Sequence, residues 1–467
     1  MVRTRIAPSP TGFPHIGTIY QVLFDYAFAK KNNGHFIVRL EDTDRNRFVE
    51  GSEQVIYDSL RWFSLIPNES PEIGGPYAPY RQSERLDIYK KYADELIEKG
   101  HAYYCFCTRE RLEEMRKEQM EKKVTLMYDK HCRNLSAEEI EKSLAEKSPY
   151  VVRMKIPENR KITFNDLIIG DIEFDSSSVD DQVILKSDGF PTYHLGVVVD
   201  DHLMEITHIF RGREWISSTP KHVLLYEFFG WQIPLHGHLP LILNSDGKGK
   251  LSKRHGHASV DFYKNLGFLP EAVLNYLSNL VWYHPENKEI YTIEEFIELL
   301  DITKINSQGA RFDLTKLEWM NGEYIRKMQN EELRIKIYEF YNKELDEELI
   351  GKTIPLIKER IKKLSDYLPL TEFLFKDIGT YEVDLTSKKD LMQKIYESLK
   401  QIHEWNVLNI GEAMVNVAKE NNVKNSEFFM LLRVAITGKK ISPPLNESME
   451  IMGKEKCLDQ IKKIIQE

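Results

Sequence analysis

The chain has little cysteine: four residues in 467, with Cys105, Cys107 and Cys132 close together and Cys457 alone. A disulfide-built fold is thereby excluded, and a reducing compartment is expected. No apolar run reaches the roughly 18 to 20 residues that a membrane-spanning helix needs. The amino terminus, MVRTRIAPSP, lacks the uninterrupted apolar core of a secretory signal. These absences point to the cytoplasm and away from a membrane. Repeats, Gly/Ser linkers and low-complexity tracts are missing, as is the pattern GxxxxGK[ST], so nucleotide chemistry of the P-loop kind is not expected. An excess of positive charge is missing too. The net charge is −9, so any nucleic acid must be held by local basic patches and not by bulk attraction.

What is present is size and alternation. At roughly 150 residues per domain the chain has material for about three domains, enough to bury real cores without a metal or disulfide. Val2–Ala7 reads as a strand. A helix with Ile19, Val22, Leu23, Tyr26 and Ala27 on one face follows and is ended by Gly34; His35–Leu40 is a second strand, and another helix starts at Ser83. This is βαβ material, hence a parallel sheet. From about 101 to 190 short strands dominate: Tyr150–Ile156, Ile162–Phe164, Ile168–Phe174 and Val183–Lys186. The βαβ-like pattern then returns with HLGVVVDD and ITHIFRG, before a helix opened by Ser218-Thr219-Pro220. Beyond about 255 the pattern is almost wholly helical, with a capping box expected from Thr292 and Glu295.

Two loops carry chemistry. Pro8-Ser9-Pro10-Thr11-Gly12-Phe13-Pro14-His15-Ile16-Gly17-Thr18 lies between a strand and a helix, where a sheet's carboxyl edge and a helix amino terminus make an anion site. His15 can donate to phosphate, and Gly17 lets the backbone approach it. Lys250-Leu251-Ser252-Lys253-Arg254 places three cations in five residues after the Gly-flanked Asp246-Gly247-Lys248-Gly249, suited to clamping a triphosphate as charge develops. Each loop alone is more often a Pro-rich turn or a solvated basic stretch. Together, on an interrupted parallel sheet, they are specific.

HIGT and KLSKR resemble the two signatures of class I aminoacyl-tRNA synthetases. The frame RIAPSPTGFPHIGT, RLEDTD, YRQSER, SDGFPTYHL and VVDDHLM resembles the bacterial glutamyl-tRNA synthetases, densely over residues 3 to about 325. One departure is Thr18, where the first signature ends in His; His15 is then that motif's only imidazole. The resemblance implies an α/β Rossmann-like catalytic domain (1–100 and 191–255, split) with an inserted α+β acceptor-binding module (101–190). A stem-contact domain (256–325) and all-α anticodon-binding domains (326–378 and 379–467) follow. It implies a monomeric enzyme that takes L-glutamate, ATP with Mg²⁺ and glutamate tRNA. His15 and Lys253 are the expected catalytic phosphate-binding residues, and Gly17, Glu214, Ile242, Lys250 and Ser252 surround the nucleotide.

For the amino acid, Arg5, Glu41, Tyr193 and Arg211 are each expected at the carboxyl end of a strand, where open parallel sheets bind ligands. Arg5 and Arg211 suit the side-chain carboxylate, with forked charge-assisted hydrogen bonds. Glu41 suits the α-ammonium. By resemblance Ala7 and Ser9 lie nearby. The bland alternative is a structural ion pair of Arg5 with Glu41 or Asp42. Guanidiniums only donate, so a glutamine amide would set N–H against N–H at a cost of about 1–3 kcal/mol.

Cys105-x-Cys107 with Cys132 further on resembles the structural zinc site of some members, with Tyr128 as fourth ligand and His131 its chemical competitor. The alternative is three reduced thiols without metal. Near the carboxyl terminus, Lys352, Lys358, Arg360, Lys362 and Lys363 form a basic stretch, on pattern alone a solvated helix face. In the resembling enzymes an Arg at the position of Arg360 reads the third anticodon base. Discrimination against glutamine tRNA is therefore expected. A glutaminyl enzyme, a truncated relative that modifies a tRNA base, a nucleotidylyltransferase and a non-catalytic paralogue fit less well. The first has β-barrel anticodon domains, the next two are shorter, and the last has no need of Arg5, Glu41, His15, Arg211 and Lys253.

Overall fold

The computed structural model describes residues 1–12, 14–44, 49–251, 256 and 258–466. They fall into two compact units, 1–261 with 274–313, and 262–273 with 314–467.

In the first unit β1 (Arg3–Ile6), α1 (Ile16–Lys31) and β2 (His35–Val38) form a parallel pair of strands joined by a helix, in register from Arg3 against His35 to Ile6 against Val38. Ile19, Val22, Leu23 and Ala27 bury the inner face of α1. The chain turns back at Gly34, where a Cβ would lie 2.2 Å from the Val2 carbonyl oxygen. Next come α2 (Ser52–Trp62), α3 (Leu86–Glu98), β3 (Ala102–Cys105), α4 (Arg109–Glu121), α5 (Ala137–Ala145) and β4 (Val151–Met154). After them lie β5 (Lys161–Asp166), β6 (Gly170–Asp175), β7 (Val183–Leu185), α6 (Tyr193–Leu203), β8 (His208–Gly212), α7 (Thr219–Phe229) and β9 (Leu235–Leu239).

Strands β3, β4 and β7 make an antiparallel sheet inside the intervening segment. The β5–β6 hairpin instead joins the α/β part, because Asp166 pairs with His236 and extends the parallel β8–β9 pair to the order β6-β5-β9-β8. Strand β1 runs beside the entry to β8, where the Thr207 N–H donates to the Arg3 carbonyl at 3.0 Å.

HLGVVVDD is helix α6, not a strand. Leu195 through Asp201 are all buried, and an apolar run enclosed on every side has no periodicity to separate the two states. Tyr193 consequently opens a helix and does not end a strand. The expected capping box is half formed. Thr292 accepts from the Glu295 N–H at 3.2 Å, but the Glu295 carboxylate turns to His284 at 3.1 Å and Lys288 at 2.8 Å.

The second unit is helical, with no strand among its described residues. Helices from Leu314–Lys327 to Tyr367–Phe375 enclose Ile337, Ile350, Ile354 and Tyr367, and helices from Lys389–Lys400 to Lys454–Gln466 enclose Met392, Ile410, Leu432 and Ile461. No described helix is long and apolar enough to cross a membrane.

Candidate functional site

The carboxyl edge of the first unit's parallel strands holds two adjoining clefts. One, of about 450 Å³, is lined by His15, Gly17, Glu214, Ile242, Lys250 and Leu251. The other, of about 600 Å³, is lined by Arg5, Ala7, Ser9, Glu41, Tyr193 and Arg211. Gln21 and Trp215 line both. Residues scattered over about 250 positions therefore meet at one edge. Ser252 and Lys253 lie outside the described residues.

In the first cleft His15 caps α1. Its Nδ1 accepts from the Gly17 N–H at 2.9 Å, which leaves Nε2 to carry the proton of a neutral ring and act as donor. A Cβ on Gly17 would sit 3.0 Å from that Nδ1. Lys250 reaches the cleft because residues 242–251 fold back on themselves. Leu251 N–H donates to the Ile242 carbonyl at 2.9 Å, and Gly247 and Gly249 take the left-handed turn positions at φ 72° and 79°. The Lys250 ammonium contacts the Glu214 carboxylate.

The second cleft contains two guanidiniums in contrasting surroundings. Arg5 is tied to Asp201, Nε donating at 3.0 and 3.2 Å and Nη2 at 3.1 Å, which leaves Nη1 without a hydrogen-bond partner among the described residues. Asp201 also accepts from Arg39 Nη1 at 2.7 Å, and Arg39 Nη2 lies 3.5 Å from Glu41. The structural pair weighed for Arg5 thus exists, but with Asp201. Asp42 is occupied elsewhere, accepting from the Ser83 N–H and hydroxyl at 2.8 and 2.5 Å. Burial lifts the Glu41 carboxyl to about 7, against the pull of Arg39 and Arg5.

Arg211, only 3% exposed, meets no carboxylate among the described residues. Nε donates to His238 Nε2 at 3.1 Å, Nη1 faces the Tyr193 hydroxyl and His222 Nδ1, both at 3.1 Å, and Nη2 donates to Thr219 Oγ1 at 2.7 Å. Burial and the Arg211 charge push His222 well below its ordinary value, so it stays neutral. His194, 3.1 Å from His222, is held down to about 3 by burial, with Lys221 and Arg211 adding to it. A buried cation ringed by neutral groups is a seat for an anion. Sequence reasoning missed Asp201, His222, Thr219 and His238. Asp201 is 196 positions from Arg5, and although Thr219 and His222 stand only 8 and 11 from Arg211, the quoted motifs assign none of these side chains a partner.

The three thiols converge. Cys105, Cys107 and Cys132 sulfurs lie within 4.8 Å of one another, and no cysteine is in a disulfide. The Tyr128 hydroxyl stands 3.4 Å from Cys105 Sγ and 3.2 Å from Cys107 Sγ, under the Arg153 guanidinium 3.8 Å from the ring centre. His131 is exposed and outside the cluster. Hydrogen bonding with the Cys132 thiol pulls Cys105 below the ordinary thiol range, against burial. Three sulfurs and one oxygen at this spacing fit a tetrahedral zinc.

In the second unit Arg360 is exposed on the turn after the helix Glu347–Ile357, with Nη1 3.5 Å from the Ser442 carbonyl. The neighbouring lysines are largely engaged within the protein: Lys352 with Glu348, Lys358 with Met328 and Asn330, and Lys363 with Glu318 and Asp366. The helix ends at Ile357, before Lys358, so the basic stretch is not one helix face.

Comparison with known proteins matches residues 1–319 to the family "tRNA synthetases class I (E and Q), catalytic domain" and residues 320–465 to "Anticodon binding domain". A glutamate–tRNA ligase of Psychrobacter sp. is 44% identical over 100% of this chain and 93% of its own. One of Borrelia recurrentis is 44% identical over 99% of this chain and 95% of its own. The crystal structure of a glutamate tRNA ligase from Elizabethkingia meningosepticum, in complex with its amino acid, superposes with a TM-score of 0.89. It shares 38% identity, covering 100% of this chain and 99% of that one.

Proposed function

Since the chain belongs to the class I tRNA synthetases of the glutamate and glutamine type, we propose that it ligates L-glutamate to tRNA. ATP, with Mg²⁺, activates the amino acid. A glutamate α-carboxylate oxygen attacks the α-phosphorus, the bond to pyrophosphate breaks, and glutamyl-adenylate results. A hydroxyl of the terminal tRNA ribose then attacks the acyl carbon and releases AMP. The observation that carries this reading is the pair of adjoining clefts sharing Gln21 and Trp215. One has the signature His15, and the other a buried Arg211 without a carboxylate partner among the described residues.

Much of the rate comes from alignment and charge stabilisation, not from a covalent nucleophile. His15 donates to phosphate from Nε2, and Gly17 lets the α1 amino terminus approach it. Lys250, Ser252 and Lys253 hold the phosphates, with Glu214 and Ile242 around the nucleoside. Arg211, Tyr193 and Arg5 receive the side-chain carboxylate, while Glu41 takes the α-ammonium beside Ala7 and Ser9. Zinc held by Cys105, Cys107, Tyr128 and Cys132 ties β3 to the segment after α4 and takes no part in the chemistry. Arg360 reads the third anticodon base, so glutamate tRNA is charged and glutamine tRNA is not.

Activation waits for tRNA, and the enzyme works as a cytoplasmic monomer. The division of labour runs 1–100 with 191–255 for catalysis, 101–190 for the acceptor end, 256–325 for the stem, and 326–378 and 379–467 for the anticodon. Charging of glutamate tRNA with labelled glutamate tests the reading directly. Glutamate incorporation, absent with glutamine, is expected, and preferential glutamine incorporation contradicts it.

A further inference from the structure

Arg211 is held from behind by a pair that neither signature contains. Its Nε–H donates to His238 Nε2 at 3.1 Å, and His238 Nδ1 lies 2.6 Å from Asp166 Oδ2. His238 and Asp166 side chains are fully buried, and they come from β9 and from the β5–β6 hairpin. Asp166 is itself fixed: Oδ1 accepts from the backbone N–H groups of Ile168 and Ile169, both at 3.0 Å, and the His238 N–H is shared between Oδ1 at 3.2 Å and Oδ2 at 3.0 Å. Burial, reinforced by Arg211, keeps His238 below its ordinary value although Asp166 opposes this, so the ring carries one proton. With Nε2 accepting, that proton is on Nδ1 and points at the carboxylate.

We propose that Asp166 and His238 are positioning residues for the glutamate cleft, fixing the tautomer that makes His238 an acceptor and so aiming the Arg211 guanidinium. The proposal rests on the reading of Arg211 as a glutamate-binding residue. Only a carboxylate serves at position 166. In Asp166→Asn the Ile168 and Ile169 amides would hold the amide oxygen where Oδ1 now sits, turning the NH₂ toward His238 Nδ1. The ring then either faces donor with donor at Nδ1, or moves its proton to Nε2 and faces the Arg211 Nε–H with it. In the first case the ring is pushed off its seat behind Arg211; in the second, the Arg211 Nε–H loses its acceptor, while the new Nε2–H can turn to Thr219 Oγ1 at 3.2 Å.

A purely structural role, tying the hairpin to the sheet, predicts a general loss instead. The test is steady-state charging by full-length Asp166→Asn, His238→Gln, His238→Leu and Arg211→Lys variants, with thermal melting and ¹⁵N NMR of the histidine rings. Asp166→Asn and His238→Leu are expected to raise the glutamate KM roughly ten- to a hundred-fold, with the ATP KM and kcat at saturating glutamate unchanged. His238→Gln, whose amide can both accept from Arg211 and donate to Asp166, should recover most of the affinity. NMR should show His238 protonated on Nδ1 in the parent protein. An unchanged glutamate KM in Asp166→Asn and His238→Leu, while Arg211→Lys raises it, overturns the positioning role and leaves the function standing. So does a parallel rise in both KM values, or an Nε2-protonated His238 in the parent. If Arg211→Lys itself leaves the glutamate KM unchanged, the reading of the cleft fails, and this inference with it.

Discussion

Asp201 accepts three hydrogen bonds from Arg5, two from Nε at 3.0 and 3.2 Å and one from Nη2 at 3.1 Å. Its Oδ1 also accepts from Arg39 at 2.7 Å. One carboxylate on α6 therefore aligns a cleft residue from β1 and the residue just past β2, holding the two strand ends in one geometry. All three side chains are buried, at 3%, 1% and 0% exposure for Arg5, Asp201 and Arg39.

Removing that carboxylate takes away the ion-pair partner of buried Arg5 and the nearest one of Arg39, which keeps Asp200 and Glu41 at 3.5 Å. Asp201→Ala is expected to cost about 3–5 kcal/mol of stability, read as a fall in the denaturation midpoint of the first unit, and to weaken glutamate binding. A stability change within about 0.5 kcal/mol would show that the network carries no such weight.

Glu41 sets a pH dependence. Burial raises its carboxyl to about 7, so below that pH the unliganded protein gains a proton there and loses the anion that meets the α-ammonium. The glutamate kcat/KM is expected to fall about tenfold per pH unit below 7, and Glu41→Gln to be low and flat across the range. A parent profile that stays level down to pH 5.5 would remove Glu41 from that role.

As lining of the clefts, Arg5, Glu41, Arg211 and the capping His15 were legible in sequence because each stands in a short contiguous motif next to a strand or helix end, and Ala7 and Ser9 through the family resemblance alone. Tyr193 was legible as a cleft-lining residue but not as the start of a helix, since the run behind it is buried all round. Asp166 and His238 were not legible: 72 positions separate them, and only the β5–β9 pairing makes them neighbours. Nor did the sequence distinguish Asp200 from Asp201. The fold hydrogen-bonds the first to Arg85 and Tyr89, with Arg39 Nε 3.5 Å away, and the second to Arg5 and Arg39.

The thiol cluster predicts close to one zinc per chain by elemental analysis, lost in Cys105→Ser or Cys132→Ser and retained in His131→Ala. Fully active protein without metal would reduce the cluster to three packed thiols.

At the anticodon end, Arg360 offers donors only. An unpaired C presents O2 and N3 as acceptors, whereas G presents N1–H and N2–H, and opposing donors cost about 1–3 kcal/mol. Arg360→Gln should therefore raise charging of glutamine tRNA, with the glutamate and ATP KM values unchanged. Equal charging of both tRNAs by the parent protein would contradict the assignment.

ATP–pyrophosphate exchange tests the whole account most directly, run with glutamate and with glutamine, each with and without glutamate tRNA. Exchange supported by glutamate only when tRNA is present is the predicted result; exchange driven by glutamine, or none with glutamate under any condition, would contradict it.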